Sequence, residues 1–367
     1  MKKKILLFFV LLTAIISTIS PVGVFAYSDN YVYLGGFPAG FSLNTKGALV
    51  LDVGDVVTKN GVISPSKNGG IEPKDIILSI NGIEVNNPTQ IEKALKNSGE
   101  NIVEILRDGE ISFLNVETAL DLSGNKKIGV FTRDSVSGIG TVTFIDNDRF
   151  ASLGHPVVNE NGKLIEITGG NLYGCVITGR VKGEKNKPGE LCGTINKAFK
   201  IGEIDKNLPQ GVYGTLSSNF NKNKLIKIKT GKAKAGKAYI FSTVNGIKPE
   251  KYSISIVKSE NGNLNGKNFV IKINDEKLLD LTNGIVQGMS GSPIIQNGKL
   301  VGAVTHVFIN DSSRGFGISI ENGISALTLN LGRLNIAPKP IIKLNKIKIT
   351  ENFFFISNLQ IEIFSVI

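Results

Sequence analysis

The texture of the chain after residue 122 restricts the fold more than any other feature. Short strand-like runs at 141–145, 176–181, 225–229, 252–257 and 269–273, several of them alternating apolar and polar residues, are separated by turns of glycine, asparagine and lysine. Alternation with a period of two marks a strand that lays one face on a core. Segments with the period of a crossover helix are scarce over about 210 residues, which disfavours a parallel sheet and leaves one or two antiparallel barrels or sandwiches.

The stretch from residue 31 to about 121 reads differently. Leu34-Gly35-Gly36-Phe37-Pro38-Ala39-Gly40 is a glycine-rich loop leading into a short strand, Phe41-Ser42-Leu43. Gly70-Ile71-Glu72-Pro73-Lys74-Asp75 forms a turn into the apolar strand 76–80, and Asn81-Gly82 closes a tight hairpin that needs positive φ. A short helix follows, with Asn87 as its cap, Pro88 in the first position, Gln90 completing a capping box, and Ile91, Ala94 and Leu95 on the apolar face. Runs 102–106 and 111–116, joined at Arg107-Asp108-Gly109-Glu110, predict a closing hairpin. The residues from Gly70 to Gly82, with the helix at Pro88 behind them, resemble a PDZ domain of the bacterial, protease-associated type. The resemblance implies peptide capture by strand addition between the strand at Phe41 and the helix carrying Ile91, with Gly36, Gly40, Phe41, Ser42, Leu43 and Ile91 as the binding residues. A β-rich spacer without a peptide site is the competing reading.

Charge and cysteine content narrow the partners. The excess of 42 Lys+Arg over 31 Asp+Glu gives a net charge of +11. The lysines of 182–187 and 222–237 lack interleaved aromatics, which weakens a nucleic-acid groove and suits solvated loops or an anionic membrane surface. Cys175 and Cys192 have no metal-ligand spacing and leave open either one disulfide in an exported chain or two small hydrophobes. No metal site and no cofactor are expected. Lys2, Lys3 and Lys4 precede an apolar run from Ile5 to Ile16, then Pro21 and the small-residue pattern Val24-Phe25-Ala26. Residues 1–26 are therefore an export signal, either cleaved or retained as an anchor. No later segment offers about 18 uninterrupted apolar residues.

Two glycine-flanked turns carry the chemistry. Gln287-Gly288-Met289-Ser290-Gly291-Ser292-Pro293 places a serine on a tight turn before the apolar pair Ile294-Ile295. Flanking glycines let consecutive N–H groups point outward, as an oxyanion site requires. A serine needs a base, and the chain has only 2 histidines. His155 lies in the turn Leu153-Gly154-His155-Pro156, whereas His306 lies in the apolar run 303–308, where a structural role fits better.

These turns, together with Gly138-Ile139-Gly140-Thr141-Val142-Thr143-Phe144 and Gly302-Ala303-Val304-Thr305-His306-Val307-Phe308, resemble the SpoIVB peptidase family of endospore-forming bacteria. With the PDZ-like part, the resemblance reaches about Asn335. It implies a mainly β chain in which a PDZ domain (31–121) precedes a chymotrypsin-like double β-barrel peptidase domain (123–335). It also implies Ser290 as nucleophile, His155 as general base, Asp275 as the residue that orients the imidazole, and the N–H groups of Gly288 and Ser290 as oxyanion donors. Ser292, His306, and Asp280, Asp146 or Asp148 are the alternatives for the three side-chain roles. Met289 stands where related enzymes often carry an aspartate, and a thioether cannot pair with a freed amino terminus. Pro156 departs from the expected glycine, and 336–367, lysine-studded and then aromatic, departs from the family's ending.

The functional expectation is an exported serine endopeptidase of sporulation. It cleaves itself and a membrane-bound regulatory protein, and so releases an intramembrane protease to process a late sigma factor. It acts between forespore and mother cell, across or anchored to the forespore membrane. A non-catalytic PDZ-containing envelope scaffold is the alternative, and a lysine-rich adhesin explains the charge but not the two turns.

Overall fold

The computed structural model describes residues 31–159, 162–260 and 266–328. The export signal expected at 1–26 and the atypical tail at 336–367 lie outside the described residues. The chain is mainly β, and most of its strands join one 18-stranded hydrogen-bonded network. Apart from the parallel pair between Lys227–Thr230 and Lys299–Phe308, the ladders between named strands are antiparallel, as the lack of crossover helices predicted.

One long strand, Pro38–Val53, organises the molecule. Its first half pairs with Val130–Asp146 on one side, where Phe41 faces Gly138, and with Ile167–Val181 on the other, where Phe41 faces Leu172. Its second half sets Ala48 opposite Ile77 of the Ile76–Ile80 strand. The strand thus leaves one core and enters another. Ala39, Phe41 and Leu43 pack with Val142, Ile145, Phe150 and Leu172. Ala48 and Val50 pack with Ile77, Ile80, Ile91, Val103 and Ile105. Each such side chain, taken fully out of water, contributes roughly 1.5–3 kcal/mol.

This arrangement corrects the expected peptide site. Gly40, Phe41, Ser42 and Leu43 form no open sheet edge, because both edges of their strand are already paired. Phe41 and Leu43 are buried. The Gly36 N–H donates to Val142 O at 2.7 Å, so this loop too is tied to the 130–146 strand. Residues 31–45 consequently belong with the later β-rich part rather than with the small unit that follows them.

The small unit is otherwise built as its sequence indicates. Asn81 and Gly82 have φ of 53° and 77°, the mirror-image turn expected of an Asn-Gly hairpin. Helix Pro88–Ala94 is capped by Asn87, whose side chain accepts from the Gln90 N–H at 2.9 Å. The Gln90 side chain reaches Asn86 N instead of the cap residue, one position earlier than a capping box. Strands Glu100–Arg107 and Glu110–Glu117 form the closing hairpin. Arg107 clamps the unit with two 2.7 Å bonds to the buried Asp75 carboxylate and a third to Gly70 O, a bidentate geometry that holds the turn against the sheet.

The largest core lies under the strands Gly236–Ser242, Glu250–Ser259, Phe269–Ile273, Pro293–Gln296 and Lys299–Phe308. Met289 is fully buried in it, so this residue anchors the serine turn from below. Cys175 and Cys192 are unbridged. Along the paired strands Cys175 sits opposite Ile195 and Cys192 opposite Gly179, so the strand register keeps them apart. Burial pushes the Cys175 thiol up to about 11, which makes it an inert core residue.

Candidate active site

The two glycine-flanked turns, separated by more than a hundred residues in sequence, meet on the strand Val130–Asp146. Thr141 is the link. Its N–H donates to Ser290 O at 3.2 Å and its hydroxyl to Gly288 O at 2.8 Å, which holds the serine turn from one side. Its carbonyl accepts from Ser152 Oγ at 2.5 Å and from Leu153 N at 3.4 Å, which holds the histidine turn from the other. Thr143 adds a hydroxyl bond to Gly291 O at 2.8 Å. A threonine is suited to this: its branched carbon fits a strand while its hydroxyl reaches a neighbouring carbonyl.

Glycine is required at Gly291 for two reasons. Its φ is 94°, and a Cβ there would lie 2.2 Å from Thr141 O. The backbone is also strained at Leu153, a non-glycine residue with φ of 66°. Positive φ at a branched, buried side chain persists only where the surrounding packing imposes it.

Within the serine turn, Met289 N donates to Val286 O, Gly291 N to Val304 O and Ser292 N to Met289 O. The N–H groups of Gly288 and Ser290 make no hydrogen bond among the described residues. They are the pair expected to receive an oxyanion. Ser290 Oγ donates to Thr305 O at 2.6 Å and not to an imidazole. Ser292 is fully buried and bonded to Ser242 Oγ at 2.8 Å, which removes it as an alternative nucleophile.

His155 has its Nδ1 2.8 Å from Pro156 O. A carbonyl oxygen only accepts, so Nδ1 carries the proton and Nε2 keeps its lone pair, the tautomer a general base needs. Burial lowers the pKa of this imidazole below its ordinary value, and the Pro156 carbonyl only partly offsets that. The second histidine is beside it: the rings of His155 and His306 are 5.0 Å apart between centroids, tilted by 41°. His306 Nδ1 is buried without a partner, and so is Thr305 Oγ1 next to it. Burial, then the neighbouring His155 and Lys267, hold His306 down to about 3.

The acidic assignment is corrected. Asp275 caps the helix Glu276–Thr282, accepting from Leu278 N at 3.1 Å with one oxygen, and from Ser253 N at 3.0 Å with the other. Both oxygens are committed to backbone N–H groups, so neither orients the imidazole. No carboxylate contacts His155 among the described residues, and the alternatives Asp146, Asp148 and Asp280 do not fill the place. The Pro156 carbonyl fixes the tautomer instead. Sequence reasoning missed this carbonyl, and also the proximity of His306, because strand pairing rather than any local pattern brings the 299–308 strand under the histidine turn.

The family model described as SpoIVB peptidase S55 matches residues 124–324. Comparison with curated proteins returned no match. The matched region holds Thr141, His155, Ser290 and His306 and covers more than half of the chain. The protein therefore belongs to the SpoIVB peptidase S55 family and is a sporulation serine peptidase.

Proposed function

We propose that Ser290 is the nucleophile and His155 its general base, acting as a dyad whose tautomer is set by the Pro156 carbonyl. The observation that carries this reading is the serine turn itself: one hydroxyl flanked by two unpaired N–H groups, tied through Thr141 to a histidine with a free Nε2. On substrate binding the hydroxyl turns from Thr305 O toward Nε2. Nε2 takes the proton as Oγ attacks the peptide carbonyl carbon, and the resulting oxyanion is held by Gly288 N–H and Ser290 N–H. The proton then passes to the leaving amine, and water hydrolyses the acyl-enzyme by the same steps in reverse order.

The substrates proposed are the chain's own N-terminal region and a membrane-bound regulator of an intramembrane protease, met outside the cytoplasm. The two parts of the chain are proposed to be a PDZ domain and a chymotrypsin-like double barrel. Peptide capture is reassigned from Phe41 to a cavity of about 450 Å³ whose lining includes Pro88, Ile91, Val56, Val130 and Phe131. Of the residues first expected to bind peptide, this keeps Ile91.

The test is self-cleavage by the purified full chain and by Ser290→Ala and His155→Ala, with circular dichroism to confirm folding. Each variant should lose activity by about 10³-fold or more. Wild-type rates in Ser290→Ala would overturn the assignment.

A further inference from the structure

We infer that the sheet face built from Tyr31, Lys227, Lys229 and Lys299 is a docking surface for an anionic lipid bilayer. This goes beyond the peptidase chemistry and does not depend on it.

The sequence supplies the charge. Between Asp205 and Glu250 there is no acidic residue, and a lysine recurs at every second or third position from Lys222 to Lys237. The fold then aligns part of this run. In strand Lys227–Thr230, Ile228 and Thr230 turn inward and are buried, while Lys227 and Lys229 point to the other face. The neighbouring strand sets Tyr31 opposite Lys229 and Tyr33 opposite Lys227. The parallel neighbour on the far side sets Lys299 beside Lys229. Tyr31, Lys229 and Lys299 thus lie in a row across three strands, with Lys227 next to them.

Like charges on adjacent strands repel. The Tyr31 ring takes up part of the repulsion, with Lys227 Nζ at 5.5 Å and Lys229 Nζ at 5.4 Å from its centroid. The ring nevertheless stays 50% exposed, and Ile226 at the strand's mouth is 57% exposed. An amphipathic ring and an aliphatic side chain set among lysines are the composition of a membrane-interface contact.

The occupant follows from where the chain leads. Tyr31 is the first described residue, and the sequence just before it carries the apolar run Ile5–Ile16. A bilayer that meets that run is close along the chain to the basic row.

The experiment is vesicle flotation of the full chain at low salt. It compares phosphatidylcholine vesicles with vesicles containing about a third phosphatidylglycerol, so that the apolar run sets the baseline and the anionic increment is the readout. Lys227→Gln/Lys229→Gln/Lys299→Gln should cut the increment by on the order of a hundredfold, from about fivefold per lysine, and half-molar salt should abolish it. Peptidase activity in solution should stay at the wild-type level. A control, Lys59→Gln/Lys93→Gln/Lys185→Gln, removes three exposed lysines from other parts of the surface and should keep the increment. The proposal is overturned if the first variant binds like wild type or if the control loses as much. It is also overturned if a DNA duplex is retained while anionic vesicles give no increment, which would assign the row to nucleic acid.

Discussion

At Asp275 the roles of capping and catalysis separate cleanly. An aspartate fifteen positions before the serine invites a catalytic reading, but its oxygens bind Leu278 N and Ser253 N. The signal that would have found this was present in the chain: an acidic residue directly before the apolar pattern of 276–282 is a helix start. Sequence spacing, by contrast, says nothing about distance from an imidazole. Asn caps as well as Asp, but its amide nitrogen cannot also accept from Ser253 N, so Asp275→Asn should melt slightly lower and keep its hydrolytic rate near wild type. An orienting carboxylate in a triad would instead lose about 10⁴-fold in kcat. A loss of that size with an intact melting curve would restore Asp275 to the catalytic set.

Elements are where the sequence was read best and also where it failed. The Asn81-Gly82 turn, the helix at Pro88 and the serine turn before Pro293–Gln296 were legible because each rests on residues adjacent in the chain. The strand Pro38–Val53 was not. Only the short strand Phe41-Ser42-Leu43 was expected there, yet the chain runs on past the exposed Asn44 and Lys46 as one strand from the core at Leu43 to the core at Ala48. Which core a residue joins depends on partners far along the chain, Gly138 and Leu172 for Phe41. The same dependence makes the serine turn sensitive to one atom. In Gly291→Ala the new carbon meets Thr141 O at 2.2 Å and the residue keeps a φ of 94°, so the turn must move away from the Val130–Asp146 strand. Left-handed backbone alone costs an L-residue roughly 1–2 kcal/mol. The variant should melt several degrees lower and lose most of its hydrolytic activity, whereas Gly298→Ala, with positive φ and open space around it, should lose stability and keep activity.

For the whole molecule, both histidines are held neutral by the fold, and this ties stability to pH. The chain has 2 histidines; burial lowers His155 and brings His306 to about 3. In the unfolded chain each titrates near 6.5. Between that value and the folded one, the unfolded state binds more protons, so stability rises with pH across this window and falls as pH drops below about 6.5. The slope is about 1.4 kcal/mol per pH unit for each histidine fully in its window. Carboxylates with lowered values, such as Asp55, Asp121 and Glu203, add to the loss only near pH 4 and below, and they are solvent-exposed. Urea unfolding between pH 7.5 and 5 therefore reports the histidines. His306→Phe keeps a ring against His155 and removes one titrating group, so its stability should depend on pH less steeply than that of the wild type. Burial and the Pro156 carbonyl, not His306, set the affinity of His155 for a proton, so the acid limb of kcat/KM should stay below 6.5 in this variant as in the wild type. An unchanged stability slope in His306→Phe would show that this histidine is not buried neutral, and would remove it from the site.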